Sequence, residues 1–223
     1  AKLEVRWGCL ALLRNRGSTS PDAAAAVLDG VHSCANGALP SKNIPRASKA
    51  ALQDPQIAGN VSVVSVMAVN NEVGSISPLR QVAKVVRAHA PNAVLHTDAV
   101  QAACWQDLRE ISKLVDVLSV SAHKFGGPKG MGITMQRLGL QIDPLIVGGG
   151  QERDRRSGTH NVAGIMATAA ALRVTDQTRN EEVARVTKLR DALVDGICSE
   201  IDDVLETVPR DKRVAGIAHM CIA

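Results

Sequence analysis

Lys124 stands at a turn in the stretch SVSAHKFGGPKGMG, residues 119–132, where an apolar run gives way at once to polar residues and glycines. An amine at the mouth of a sheet is suited to Schiff-base formation with a carbonyl compound. Gly126, Gly127, Gly130 and Gly132 let the backbone come close to a ligand and adopt positive φ. Taken alone, the stretch reads equally well as a glycine-rich loop with an exposed lysine, and Lys129 is a rival amine. Three other polar clusters could serve such a lysine: Asn70-Asn71-Glu72, the pair Asp98 and Gln101, and RRSGTHN at 155–161.

The elements that must position these groups follow from the hydrophobic pattern. Residues 61–69, VSVVSVMAV, form a β-branched run expected of a parallel strand buried on both faces. Further strands are predicted at 93–96, 115–121, 133–136 and 145–147, with a last one at 217–222. Helices are predicted from Ser77-Pro78 to about residue 90, at 108–114, at 161–173 and at 180–201. In the last of these Val183, Val186, Leu189, Leu193 and Ile197 share a face. Residues 1–53 are less legible: 5–13 suits a strand or a short helix, 20–28 an alanine-rich helix and 32–48 a loop. Alternating strands and helices define an α/β domain with a mostly parallel sheet flanked by helices.

In such a sheet ligands bind beyond the carboxyl ends of the strands. Asn71, Asp98, Ser121 and Lys124 all fall at predicted strand ends, so crossover connections bring them to one rim. A carboxylate and a lysine on one rim suit pyridoxal phosphate: the amine forms the Schiff base and the carboxylate keeps the ring nitrogen protonated. Burial and a neighbouring cation would lower the lysine pKa. Ser121 and His123 suit an anion beside the lysine, and Gln101 suits a phenolic oxygen. The arginines and Thr159 of RRSGTHN, ahead of a helix amino end, form a further anion feature. Each also has a plainer reading. Asp98 serves as a strand-end turn or cap, Gln101 as a solvated residue, Ser157 or Thr159 as a helix cap.

Composition narrows the class. The 223 residues are 45% hydrophobic and 22% charged, ordinary for a globular protein, and long enough for one large domain. The net charge of +4 comes from dispersed basic residues without interleaved aromatics, which argues against nucleic acid. Five scattered cysteines with no CxxC pair argue against a disulfide framework or a metal site and for a reducing, cytoplasmic setting. Cys104, Cys198 and Cys221 read as core residues. No run reaches the roughly 18 apolar residues of a membrane span.

In order along the chain, NNEVG, HTDAVQA, SVSAHKFGGPKGMG and GGGQERDRRSGT resemble the motifs of cysteine desulfurases, within the class V aminotransferase-like enzymes that use pyridoxal 5'-phosphate. The resemblance runs from about Ala51 to the carboxyl end. It implies the large domain of a fold type I enzyme over 54–215, preceded by an atypical segment at 1–53. The first residues of a small domain, otherwise largely missing, would follow at 216–223. It implies that Lys124 is the Schiff-base lysine and that Lys129 matches the second, non-catalytic lysine. Asp98 would pair with the ring nitrogen, Gln101 with the ring hydroxyl oxygen, and Asn71 with that oxygen and the substrate carboxylate. Ser121 and His123 would hold the phosphate, with Ala122 between them in the same set. Thr159 would reach the phosphate of a neighbouring copy, which implies a homodimer.

The resemblance implies sulfur removal from L-cysteine, giving alanine and a persulfide for an iron–sulfur scaffold or another sulfur-acceptor protein. Selenocysteine lyase, another class V enzyme, or an inactive fragment keeping the cofactor-domain fold are the alternatives. Two family features have no match in residues 1–60: the TGATE-like phosphate loop and the histidine that stacks on the ring; the histidine there, His32, lies in the unlike context GVHSCANG. The family's persulfide-forming cysteine and substrate arginine are expected beyond residue 223.

Overall fold

The computed structural model describes residues 10–14, 31–33, 43–55 and 58–222. A six-stranded sheet has the order β2-β1-β3-β4-β5-β6, with β1 (Leu10–Arg14), β2 (Val31–Ser33), β3 (Val61–Met67), β4 (Val94–Asp98), β5 (Val117–Ser121) and β6 (Gly132–Gln136). Its centre, β3-β4-β5, is parallel, as the alternation of strands and helices predicts. β1 joins β3 antiparallel and β6 joins β5 antiparallel. The helices α1 (Ile44–Gln53), α2 (Leu79–His89), α3 (Leu108–Ser112) and α4 (Val162–Glu200) accompany it. A separate two-stranded ladder pairs β7 (Val204–Glu206) with β8 (Met220–Ile222).

The core lies on one face of the sheet. Val64 and Val66 of β3, Leu95 of β4, and Leu118 and Val120 of β5 are buried with Val82 and Val86 of α2 and Ile44, Ala51 and Leu52 of α1. The other face is only half-buried at Ser65, His96 and Ser119. This corrects the expectation that β3 is buried on both faces: Ser65 in VSVVSVM lies on the polar side. α1 begins inside the stretch expected to be loop. Its proline sits in the first turn, where its missing N–H costs nothing, and the apolar residues recur at helical spacing. β2 overlaps the start of that stretch. The segment expected as strand or helix at 5–13 overlaps β1, and the predicted helix at 20–28 lies outside the described residues.

Two helices expected at 161–173 and 180–201 are one helix of 39 residues, about 58 Å long at 1.5 Å per residue. Nothing in VTDQTR breaks it. Across that segment Thr175 Oγ1 donates to the Phe125 carbonyl (3.2 Å) and Arg179 Nε to the Ala103 carbonyl (3.2 Å). The anticipated apolar face is also corrected, because Leu189 and Leu193 are exposed while Arg190 and Val194 are buried. Residues 145–147 form no strand. β6 ends the sheet, and Leu145 and Val147 are exposed. Among the described residues no helix is long and apolar enough to cross a membrane.

Asp116, at the amino end of β5, is 2% exposed in its side chain. Arg87 Nη2 donates to both of its oxygens (2.7 Å each), Arg137 Nη1 lies 3.1 Å from Oδ1, and the Leu95 amide donates to Oδ2 at 2.8 Å. This brace ties α2, β4, β5 and the chain after β6 at the edge opposite the polar rim.

Candidate active site

Parallel register brings Met67, Asp98 and Ser119 side by side. The ladder continues beyond the strands, with the Ala68 amide donating to the Asp98 carbonyl (2.8 Å) and the Ala99 amide to the Ser119 carbonyl (2.9 Å). The loops after β3, β4 and β5 therefore leave from one edge. Asn71, Asp98, Gln101, Ser121, Ala122, His123 and Lys124 are all on these strand ends or loops, as the sequence pattern requires.

Lys124 belongs to a 3₁₀ turn, Ala122–Phe125. Residues three apart share a face of such a turn. Ala122 and Phe125 are buried, so His123 and Lys124 project outward, and Lys124 is exposed, which corrects the expectation of burial. Gly126 has φ +80, and the Gly127 amide donates to the Ala122 carbonyl at 2.9 Å. A Cβ on Gly127 would lie 2.8 Å from Ala122 Cβ, so this close approach requires glycine. Cys104 Sγ donates to the Lys124 carbonyl (3.1 Å), fastening the turn to the loop after β4. Burial pushes the Cys104 thiol above its ordinary range, with Arg179 opposing.

Asp98 is half-buried and its Oδ1 accepts from the Val100 amide (2.9 Å). It therefore does shape the turn, yet Oδ2 has no hydrogen-bond partner among the described residues. The half-buried Gln101 also has a buried Oε1 without a partner among the described residues. Ser121 Oγ and His123 Nδ1 are 2.8 Å apart. Asn71 is exposed on a turn shaped by Asn70, whose Oδ1 accepts from the Glu72 and Val73 amides at 2.9 Å each. That turn is braced from the chain end: the Ile76 amide donates to the Lys212 carbonyl (2.8 Å) and the Val214 amide to the Gly74 carbonyl (2.9 Å).

Thr159 is exposed and makes no hydrogen bond to the rim. The amino end of α4 is capped by Asn161, whose side chain accepts from the Gly164 amide at 3.0 Å, rather than by Ser157 or Thr159. Glu152, Arg153 and Asp154, just upstream, all have left-handed φ of 53 to 63°. Cys198 and Cys221 are exposed, which overturns their reading as core residues, and Cys104 is half-buried.

The sequence reading passed over His96. Its Nδ1 is 2.7 Å from Ser65 Oγ and its Nε2 3.0 Å from Ser119 Oγ. Burial holds the ring below the ordinary histidine pKa, while Asp98 pulls it upward. The available signal was the i, i+2 spacing of His96 and Asp98, which puts both on one face of a strand.

Parallel strands with a lysine, a carboxylate and a hydrogen-bonded serine–histidine pair on their carboxyl rim place the chain among α/β proteins with a polar rim at the strand ends. A sequence model described as aminotransferase class-V matches residues 46–222, and the chain belongs to that family. It is 40% identical over 152 residues to the cysteine desulfurase IscS of Dictyoglomus turgidum, covering 68% of this chain and 38% of that protein. It is 40% identical over 183 residues to an IscS-like cysteine desulfurase of Mycobacterium tuberculosis, covering 81% of this chain and 46% of that one. A solved NifS-like protein superposes with a TM-score of 0.68 at 37% identity, over 77% of this chain and 45% of its own. The chain thus spans less than half the length of these relatives.

The family's enzymes depend on pyridoxal 5'-phosphate, and the residues present fit it. Gln101 offers a partnerless amide that can turn either end to a ligand, Asp98 a spare carboxylate oxygen, and Lys124 an amine free of ion pairs among the described residues.

Proposed function

We propose that this chain is the cofactor-binding part of a pyridoxal-phosphate-dependent cysteine desulfurase. The observation that carries this reading is the rim itself, where Asp98, Gln101, Ser121 and Lys124 meet at the ends of adjacent parallel strands and Gln101 Oε1 is left without a partner among the described residues. The cofactor, when bound, supplies an electron sink for the carbanion of the substrate. Lys124 would hold it through Nζ, and its amine would move a proton to and from the substrate. Asp98 would keep the ring nitrogen protonated. Gln101 and Asn71 would orient the ring-oxygen side, and Asn71 would also meet the substrate carboxylate. Ser121 and His123 would hold the phosphate, whereas Ala122, expected in the same set, is fully buried with its amide on the Met131 carbonyl and its carbonyl on the Gly127 amide. The products are alanine and a persulfide on an acceptor thiol outside this set of residues, and the sulfur passes to an iron–sulfur scaffold or another acceptor protein.

In this reading residues 54–215 are the cofactor domain, 1–53 precede it while lending β1, β2 and α1 to the same sheet and core, and 216–223 open a second, small domain. We further infer a homodimer in which Thr159 reaches the phosphate site of the second copy. Apolar side chains of Leu145, Val147, Val162 and Met166 are exposed around that loop, which supports a covered surface there. A cytoplasmic location accords with the free thiols of Cys104, Cys198 and Cys221.

The test is to incubate the purified chain with pyridoxal phosphate. An absorbance band near the visible edge is expected in the wild type and not in Lys124→Ala. A wild-type chain that binds none refutes the site assignment. Release of alanine and sulfide from L-cysteine then reads the reaction separately.

A further inference from the structure

His96 sits at the middle of a polar chain that crosses three parallel strands. Ser65 is its register partner on β3, and Ser119 is the register partner of Asp98 on β5. The ring bonds both hydroxyls, at 2.7 and 3.0 Å. A neutral imidazole has one donor and one acceptor, and a hydroxyl serves as either, so both bonds form in either tautomer. Ser119 Oγ is thereby turned toward His96. Without that bond it is a mobile donor beside a carboxylate, and charge-assisted bonds outcompete neutral ones. Asp98 has one oxygen engaged by the Val100 amide, so Oδ2 is the one left for a ligand.

We propose that His96 is a positioning residue, which holds the Ser119 hydroxyl away from Asp98 and so leaves the second carboxylate oxygen free for a protonated ring nitrogen. This rests on reading Asp98 as the ring-nitrogen partner. His96 touches no substrate or cofactor atom; it acts through Ser119.

The experiment measures pyridoxal phosphate dissociation constants and the bound-cofactor spectrum for the full chain, with circular dichroism as the folding control. His96→Phe frees Ser119 to bond Asp98 and is expected to weaken binding about ten-fold, the value of one hydrogen bond, with a shifted absorbance maximum. Ser119→Ala removes the competing hydroxyl and is expected to keep wild-type affinity. The double variant His96→Phe/Ser119→Ala is expected to recover most of the lost affinity and the wild-type spectrum. A purely structural role for His96 predicts no recovery. A double variant as weak as His96→Phe overturns the proposal, as does a Ser119→Ala variant as weak as His96→Phe. Should His96→Phe not fold, His96→Ala is used in the same cycle. If the wild type binds no pyridoxal phosphate, the reading of the site falls and this inference with it. If the wild type binds, Asp98→Ala does not, and the cycle shows no rescue, the inference alone falls.

Discussion

The Asp116 brace gives the sharpest test of how this chain holds its rim in register. Asp116→Ala removes an almost fully buried carboxylate that serves two arginines and the Leu95 amide. The Leu95 amide is left buried without an acceptor, which costs about 1–3 kcal/mol. Removing one member of a buried pair costs about 3–5 kcal/mol when both charges are sequestered. Here Arg87 is 37% exposed and Arg137 61%, so water compensates much of their loss. The sum comes to about 3 kcal/mol. Asp116→Asn keeps an acceptor for Leu95 while turning an amide toward the arginines, and about 1–2 kcal/mol is expected. Urea denaturation read by circular dichroism measures both, and the midpoints should fall in the order wild type, Asn, Ala. β4 and β5 carry Asp98 and Ser121 at their other ends, so pyridoxal phosphate binding by the Ala variant should melt out at the lower urea midpoint as well. A cost below about 1 kcal/mol for Asp116→Ala refutes the reasoning, since it means the Leu95 amide finds another partner.

Three further outcomes are expected. Gly127→Ala drives a Cβ to 2.8 Å from Ala122 Cβ and 3.0 Å from its carbonyl oxygen, and should cost about 1–3 kcal/mol and displace the Lys124 turn. Wild-type cofactor absorbance and melting temperature in that variant would falsify it. Asp154→Gly relieves a residue held at φ 63, which should stabilise the chain by about 0.5–1 kcal/mol, read as a melting temperature higher by about 2 °C; no rise counts against strain at this loop. His96 is held below its ordinary pKa of 6.5 by burial. The unfolded chain therefore takes up the proton first, so this contribution to stability is intact above pH 6.5 and is lost as pH falls through the lower folded value. Melting temperatures between pH 8 and 5 should drop more steeply for the wild type than for His96→Gln, and parallel curves rule the effect out.

Much of the architecture was readable because strand and helix periods are local. β3, β4, β5 and β6, and helices α2 and α3, lie close to where the β-branched runs and apolar spacing place them. The rim was readable for the same reason: once strands are parallel, residues at their carboxyl ends must converge, and Asp98, Ser121 and Lys124 do. α1 escaped notice because Asn43, Pro45 and Arg46 look like loop, whereas Ile44, Ala51 and Leu52 declare themselves only against the core they fill. The single helix α4 was divided in prediction because VTDQTR lacks an apolar face, and its continuity depends on bonds from Thr175 and Arg179 to distant carbonyls.

Residue types and their spacing along the chain determined the α/β class, the parallel rim and the amine and carboxylate upon it, since each depends on the chain's own periodicity. Only the tertiary structure decided what surrounds them. That Ser119 faces His96 is a matter of register between strands. That Asp116 carries two arginines is a matter of burial, and that Lys124 projects is a matter of which side of a 3₁₀ turn the core takes. Register, burial and turn orientation are set by contacts between residues far apart in sequence, and no local pattern encodes them.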